Sequence, residues 1–165
     1  MKVPFAPALL LIWLAFPYTP ARGQSPTWPK NEYGIIQLTG TRLCQGEDAT
    51  RGNFQERVQT WFTANLEPTR LVEDGRLSAR GEFYGWGRFA PVKAGKNDYQ
   101  LLVGVAARLV EEEATYRIED MQCQYQHDGQ LLTVPLETFL TSANPEHKLA
   151  AAAFRKRLTS FSAAL

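Results

Sequence analysis

Leu77–Phe89 reads LSARGEFYGWGRF, and its alternation decides the fold. In an extended chain Leu77, Ala79, Gly81, Phe83, Gly85, Gly87 and Phe89 fall on one face, and Ser78, Arg80, Glu82, Tyr84, Trp86 and Arg88 on the other. Three glycines on the apolar face leave room for a helix to lie close, so that side is expected to pack and the Arg/aromatic side to stay open. Upstream, Glu73-Asp74-Gly75-Arg76 holds the Asp-Gly pair suited to a tight hairpin turn, with Leu71-Val72 as the preceding arm.

Working outward, Tyr99–Leu109 places Leu101, Val103, Val105, Ala107 and Leu109 on one face, which predicts the next strand. Thr115–Tyr125 follows it, with Tyr116 and Ile118 inward. The apolar set then moves to the odd positions Met121, Cys123 and Tyr125, so a bulge is expected near Glu119 and Asp120. His127-Asp128-Gly129-Gln130 turns the chain into Leu131–Val134, a return that Pro135 confines to an edge.

Before the hairpin, Phe54, Val58, Trp61, Phe62 and Leu66 have helical spacing, with Thr50 or Asn53 as cap and Pro68 past the end. Trp61 and Phe62 read as core anchors of this helix. Tyr33–Thr41 (YGIIQLTGT) predicts the first strand. Near the C-terminus, Asn144-Pro145-Glu146 has a cap, a first-turn Pro and an acidic first-turn residue in helical order. Ala150, Phe154, Leu158 and Phe161 give this last helix, about 145–161, one apolar stripe. The expected class is therefore α+β: a strand, a helix, four antiparallel strands and a helix, with both helices on one face of the sheet.

Met1–Gly23 reads as a secretory signal. Lys2 supplies the positive start, Ala8–Phe16 is an unbroken apolar run, and Ala21 and Gly23 are the small residues before a cleavage point at Gln24. The run is shorter than the roughly 17–25 residues needed to span a bilayer, so no membrane span is expected after cleavage. Residues 24–32, with two prolines and Trp28, form an extended lead-in, and 33–162 a single domain. The expected location is the periplasm or the medium.

Losing Lys2 and Arg22 lowers the basic residues from 18 to 16 against 17 acidic ones, a net charge of −1 for the exported chain. A near-neutral chain lacks the field that collects nucleic acid or anionic membrane.

Secreted bacterial domains of unknown function with a fold like the TATA-box-binding protein, common in the Bacteroidetes, resemble this chain over roughly Tyr33 to Tyr125. The resemblance rests on IIQLTG, RVQTWF, EDGRLSARGEF and ATYRIED. The chain departs from them in its YGWGRF strand end and its Ala-rich final helix. It implies the TBP-like fold and no catalytic residue, because that family has none established. Nor does a fold carry its best-known function, so DNA binding is not expected.

No catalytic motif, cofactor loop or metal-ligand spacing is present. His127 and His147 lie in a turn and a first helical turn and read as solvated surface residues. Glu111-Glu112-Glu113 reads as a solvated turn. Cys44 and Cys123 are an even pair in an oxidising compartment, which raises a disulfide. The topology sets them at opposite ends of strands about 33 Å long, far beyond the roughly 7 Å that a bridge tolerates, so two separate thiols are favoured.

The candidate binding residues are Arg80, Tyr84, Trp86, Arg88, Arg108 and Arg117 on the open face, beside Gln37, Thr39, Glu82 and Gln100. Arg with Tyr and Trp is a composition of binding hot spots, and it also solvates ordinary sheets. The functional expectation is a non-enzymatic module that binds an envelope protein, peptide or glycan. A small hydrolase-like envelope enzyme is the alternative.

Overall fold

The computed structural model describes residues 27–46, 50–72 and 75–163, so the leader Met1–Gly23 and the Glu73-Asp74 part of the first turn lie outside the described residues. In chain order the elements are β1 (Leu38–Leu43), α1 (Arg51–Asn65), β2 (Glu67–Leu71), α2 (Gly75–Arg80), β3 (Glu82–Arg88), β4 (Val92–Ala94), β5 (Asn97–Val110), β6 (Glu113–His127), β7 (Gln130–Pro135), α3 (Leu136–Leu140) and α4 (Pro145–Ala163). One antiparallel sheet runs β1-β6-β5-β3-β2.

Its centre is the long pair β5 and β6, of 14 and 15 residues. Each outer edge of that pair is shared by two short strands in tandem. β3 and then β4 lie along β5, and β1 and then β7 along β6. Period-2 burial on β3 and β5 puts Phe83, Phe89, Leu101, Val103, Val105, Ala107 and Leu109 into one core. Phe54, Val58 and Phe62 of α1 and Ala150, Phe154, Leu158 and Phe161 of α4 join the same core, so both long helices cover one face. Trp61 is partly buried and stacks on Phe161 with ring centroids 4.0 Å apart, tying α1 to α4.

The glycines of β3 make this approach possible. A Cβ on Gly87 would stand 2.9 Å from Leu66 Cβ and 3.0 Å from Phe62 Cζ. One on Gly85 would meet Leu71 and Phe62 at 3.1 Å. A third close approach lies across β1 and β6, where the Tyr116 ring occupies the space that a Gly40 side chain would need and its hydroxyl donates to Ser162 O on α4 at 3.2 Å.

The register shows the bulge in β6. Gly104 faces Glu119 and Leu102 faces Gln122, which leaves Asp120 and Met121 together opposite Val103. Asp120 carries φ 51°, a left-handed backbone that Asp tolerates better than most residues. Ile118 and Met121 both stay in the core as a result.

Four local expectations are corrected. Leu77–Arg80 is helical, not the start of the strand, because Gly81 at φ 70° ends a short turn of helix in the manner of a C-terminal glycine. Arg51 Nη1 donates to Ala79 O at 2.6 Å and holds this helix against α1. Gly81 is thus a helix stop as well as a close-packed glycine, since a Cβ there would stand 3.1 Å from Leu109 O and 3.2 Å from Arg51 Cγ. The first strand begins at Leu38 instead of Tyr33, since Asn31 Oδ1 accepts from Tyr33 N and Ile35 N, both at 3.0 Å, and folds that segment into a turn. The hairpin arm reaches back to Glu67, with Leu71 its last strand residue and Val72 N donating to Tyr84 O at 3.1 Å, and α2, opening at Gly75, stands in place of the tight Asp-Gly turn. Finally, Leu136–Leu140 forms a helix where the sequence suggested none, with Leu136 and Phe139 buried.

Cys44 and Cys123 are both free and buried. Cys44 N donates to Glu112 O at 2.7 Å beside the start of β6, whereas Cys123 pairs with Leu101 far along the same strand.

Candidate binding face

The face of the sheet turned away from α1 and α4 is built from the alternate residues of β2, β3, β5 and β6. Tyr84 pairs with Ala106, Trp86 with Gly104, and Glu82 with Arg108. Ala106 pairs in turn with Arg117, and Gly104 with Glu119. Small residues thus occupy the middle row, with aromatics on one side and charged groups on the other. Gly104 and Ala106 are buried beneath the flanking side chains, and a shallow trough opens only beside Trp86, toward Leu102 and the β6 bulge.

Trp86 makes the closest use of that trough. A Cβ on Gly104 would stand 3.0 Å from Trp86 Nε1 and 3.4 Å from Cδ1, so the indole lies directly against the Gly104 backbone. The Arg70 guanidinium sits 5.2 Å from the Trp86 ring centroid, and Thr69 Oγ1 donates to Trp86 O at 3.0 Å. A cation held over an indole face is attracted by the ring quadrupole and fixes its orientation. Beside the indole is a cavity of about 420 Å³ lined by Thr69, Leu102, Asp120, Gln122 and Pro135 among others. The β6 bulge forms its far wall.

Five of the six candidate residues are brought together on this face: Tyr84, Trp86, Arg88, Arg108 and Arg117. Arg80 is not among them, because it closes α2 before the strand begins. The three candidate arginines on the sheet, Arg88, Arg108 and Arg117, each meet a carboxylate, whereas Arg70 meets the Trp86 ring. Arg88 Nε and Nη2 donate to Glu67 Oε2 and Oε1 at 2.8 and 2.5 Å, and Arg108 lies 3.5 Å from Glu82. Arg117 Nε lies 2.6 Å from Glu119 Oε2, which also accepts from Gln37 Nε2 at 3.0 Å. The hydrogen bond to Arg88 holds the Glu67 carboxyl below its ordinary range, and Glu67 raises Arg88 in return. This face is therefore polar, aromatic and nearly neutral.

Sequence alternation could not find Arg70, since β2 is a short exposed strand that shows no apolar period. Gly104 did carry a signal, as a glycine inside Val103-Gly104-Val105 marks a close approach. His147 is corrected from a solvated residue to a half-buried one. Its ring stacks on Phe139 at 4.5 Å and meets Tyr125 and Tyr99 edge-on at 5.0 and 5.5 Å. His127 is exposed beside Asp128, at 3.5 Å. Among the described residues no three His, Cys, Asp or Glu side chains are grouped to hold a metal.

No family profile and no curated protein matches the sequence. Solved structures match its fold. A DUF4468 family protein from Bacteroides ovatus superimposes with a TM-score of 0.53 at 13% identity, covering 81% of this chain and 82% of that one. A TBP-like protein from Parabacteroides distasonis does so with a TM-score of 0.55 at 11% identity, covering 80% of this chain and 92% of that one. The fold is TBP-like. Both neighbours come from Bacteroidetes, and the likeness read from IIQLTG, RVQTWF and ATYRIED holds at the level of the fold. The TBP-like sheet here keeps its helices on one side and leaves the Trp86 trough on the other.

Proposed function

We propose that this chain is an exported, non-enzymatic binding domain of the cell envelope, and that it takes its partner on the open face of the TBP-like sheet. The observation that carries the reading is Trp86. A large aromatic ring lies across Gly104 in the middle of an uncovered sheet, at the side of a cavity of about 420 Å³. Aromatic anchors at the centre of a patch, rimmed by satisfied polar groups, are the pattern of a binding hot spot.

Export rests on the leader Met1–Gly23 with its Ala21-Arg22-Gly23 end. Among the described residues no helix is long and apolar enough to cross a membrane. The partner is a protein, peptide or glycan of low charge, because Arg88, Arg108 and Arg117 are matched by Glu67, Glu82 and Glu119 and Arg70 is engaged by the Trp86 ring. Duplex DNA is not the partner in this reading, since phosphate recognition draws on unmatched cations.

The test is a pull-down from the native envelope with wild-type protein and with Tyr84→Ser/Trp86→Ser. The expected result is a captured component that is absent with the double variant, while the circular dichroism spectra agree. Capture that survives the double substitution refutes the reading.

A further inference from the structure

The cavity of about 420 Å³ beside Trp86 has a wall chemistry more specific than the open face as a whole. Among the described residues that line it are two acids, Asp120 and Glu137, and no Lys, Arg or His. Both oppose an anionic ligand. A cationic ligand is opposed in turn by Arg70, whose guanidinium already holds a place over the indole, 5.2 Å from its centroid. The distribution of charge selects a neutral occupant.

Three polar groups at this cavity are unpaired. Trp86 Nε1, the Asp120 carboxylate and the Gln122 carboxamide make no hydrogen bond or ion pair with any described residue. Asp120 and Gln122 are exposed, and the Trp86 nitrogen, unlike that of Trp61, is not sealed from solvent. An indole N–H donates, a carboxylate accepts and a carboxamide does both. A neutral molecule with several hydroxyls can satisfy all three. The bulge is what brings the carboxylate here: Glu119 faces Gly104 and Gln122 faces Leu102, and a regular strand would place a single inward residue between them. The extra residue is Asp120.

The rest of the wall is apolar, with Leu102 and Pro135 beside the indole. Leu102 pairs with Gln122, and Gln122 with Pro135, so these three form one row across the sheet next to the row of Trp86 and Gly104. An aromatic and aliphatic surface fringed by donors and acceptors is complementary to a pyranose, whose ring C–H groups make an apolar face and whose hydroxyls stand around its rim. Its C–H hydrogens carry a slight positive charge and are drawn to the negative face of an aromatic ring. The volume lies within the range of small-molecule sites.

We propose that the cavity beside Trp86 binds a neutral glycan, with a sugar ring against the indole and Leu102 and its hydroxyls on Trp86 Nε1, Asp120 and Gln122. The inference rests on the open sheet face being the binding face, and it names a glycan, not a protein or peptide, as what that face takes.

The first probe is the native envelope. Fragments left untreated, digested with proteinase K and washed, or oxidised with metaperiodate, which cleaves vicinal diols, are mixed with the purified protein and pelleted. Co-sedimentation is expected to survive the protease and to disappear after metaperiodate. Loss to the protease, or persistence after metaperiodate, overturns the glycan, while the binding face itself stands if Tyr84→Ser/Trp86→Ser abolishes co-sedimentation. Co-sedimentation that survives the double substitution overturns both. The second probe is a set of neutral trisaccharides, maltotriose, cellotriose and mannotriose, titrated separately and followed by indole and amide NMR shifts. At least one is expected to give saturable shifts at the Trp86 indole, Asp120 and Gln122, with trigalacturonate and trilysine bound about tenfold more weakly or worse. Asp120→Gly is expected to weaken that trisaccharide about tenfold or more, and glycine suits the φ of 51° at this position, so the fold is kept. Should its spectrum lose dispersion, the exposed Gln122→Ala decides in its place. The proposal is overturned if no trisaccharide gives a saturable shift up to about 20 mM. Equal binding of trigalacturonate or trilysine overturns it too, as does a deciding variant that binds like the wild type.

Discussion

Replacing Gly87 by Ala tests whether the closeness of α1 to β3 is what requires glycine there. In an ordinary strand the change favours folding by about 0.5–1 kcal/mol, because alanine has less backbone freedom to lose. Here the new methyl stands 2.9 Å from Leu66 Cβ, 3.0 Å from Phe62 Cζ and 3.1 Å from Glu67 O. Two of those three atoms belong to the backbone or to the first side-chain carbon, so they cannot swing away. Phe62 is fully buried and cannot retreat either. Forcing a methyl into a packed core costs about 1–3 kcal/mol, which outweighs the entropic gain and leaves a net loss of about 1–2 kcal/mol. For a chain of this size that lowers Tm by roughly 3–8 °C. Gly52→Ala is the internal control, since Gly52 opens α1 with nothing within 4 Å of its would-be Cβ. It is expected to raise Tm by a few degrees at most. Thermal melts followed by circular dichroism at one scan rate suffice for both. If Gly87→Ala proves as stable as wild type, the steric account of this strand is wrong. The sign of the pair matters more than either magnitude.

Cys123, whose thiol burial pushes up to about 12, is expected to resist iodoacetamide at pH 8.5 in the native protein and to react fully in guanidinium, as read by peptide mass spectrometry. Rapid native labelling contradicts its placement. His147 has a folded pKa below its unfolded value of about 6.5, so below that pH the unfolded chain binds more protons and stability falls as acid is added. Urea midpoints from pH 7 to pH 5 should decline in wild type and flatten in His147→Phe; parallel curves would count against burial of the ring. Arg88→Gln breaks a pair whose side chains are 37% and 61% exposed, and its Tm should match wild type within error, with a clear drop showing the pair to be structural.

What the sequence revealed and what it hid follow from the range of each signal. Alternation is local, so the inward glycines of β3 and the odd-for-even switch at Glu119-Asp120 could both be read directly from the chain. Leu77 and Ala79 satisfy that same period, yet six residues suffice for a turn of helix that Gly81 ends, and so the strand appeared to begin too early. His147 is half-buried by Phe139, eight residues before it, and by Tyr99 and Tyr125, which lie far from it in sequence on β5 and β6. Arg70 reaches Trp86 only because β2 pairs with β3 in one register. The candidate face was therefore legible in its aromatic half. Its cation partner came from pairing, and the glycine inside Val103-Gly104-Val105 marked a close approach without saying that Trp86 makes it.

The extra residue in β6 has a genetic consequence. Because Asp120 stands beside Met121 opposite a single Val103, loss of that one codon would restore unbroken alternation through Ile118, Met121 and Cys123 without moving any of them out of the core. Most single-residue deletions in a central strand invert every side chain beyond them, but this one would not. It would straighten the strand and remove a left-handed aspartate. Position 120 is thus a place where a lineage can change the curvature of the sheet, and with it the depth of the groove beside Trp86, in one mutational step that leaves the inward pattern in phase.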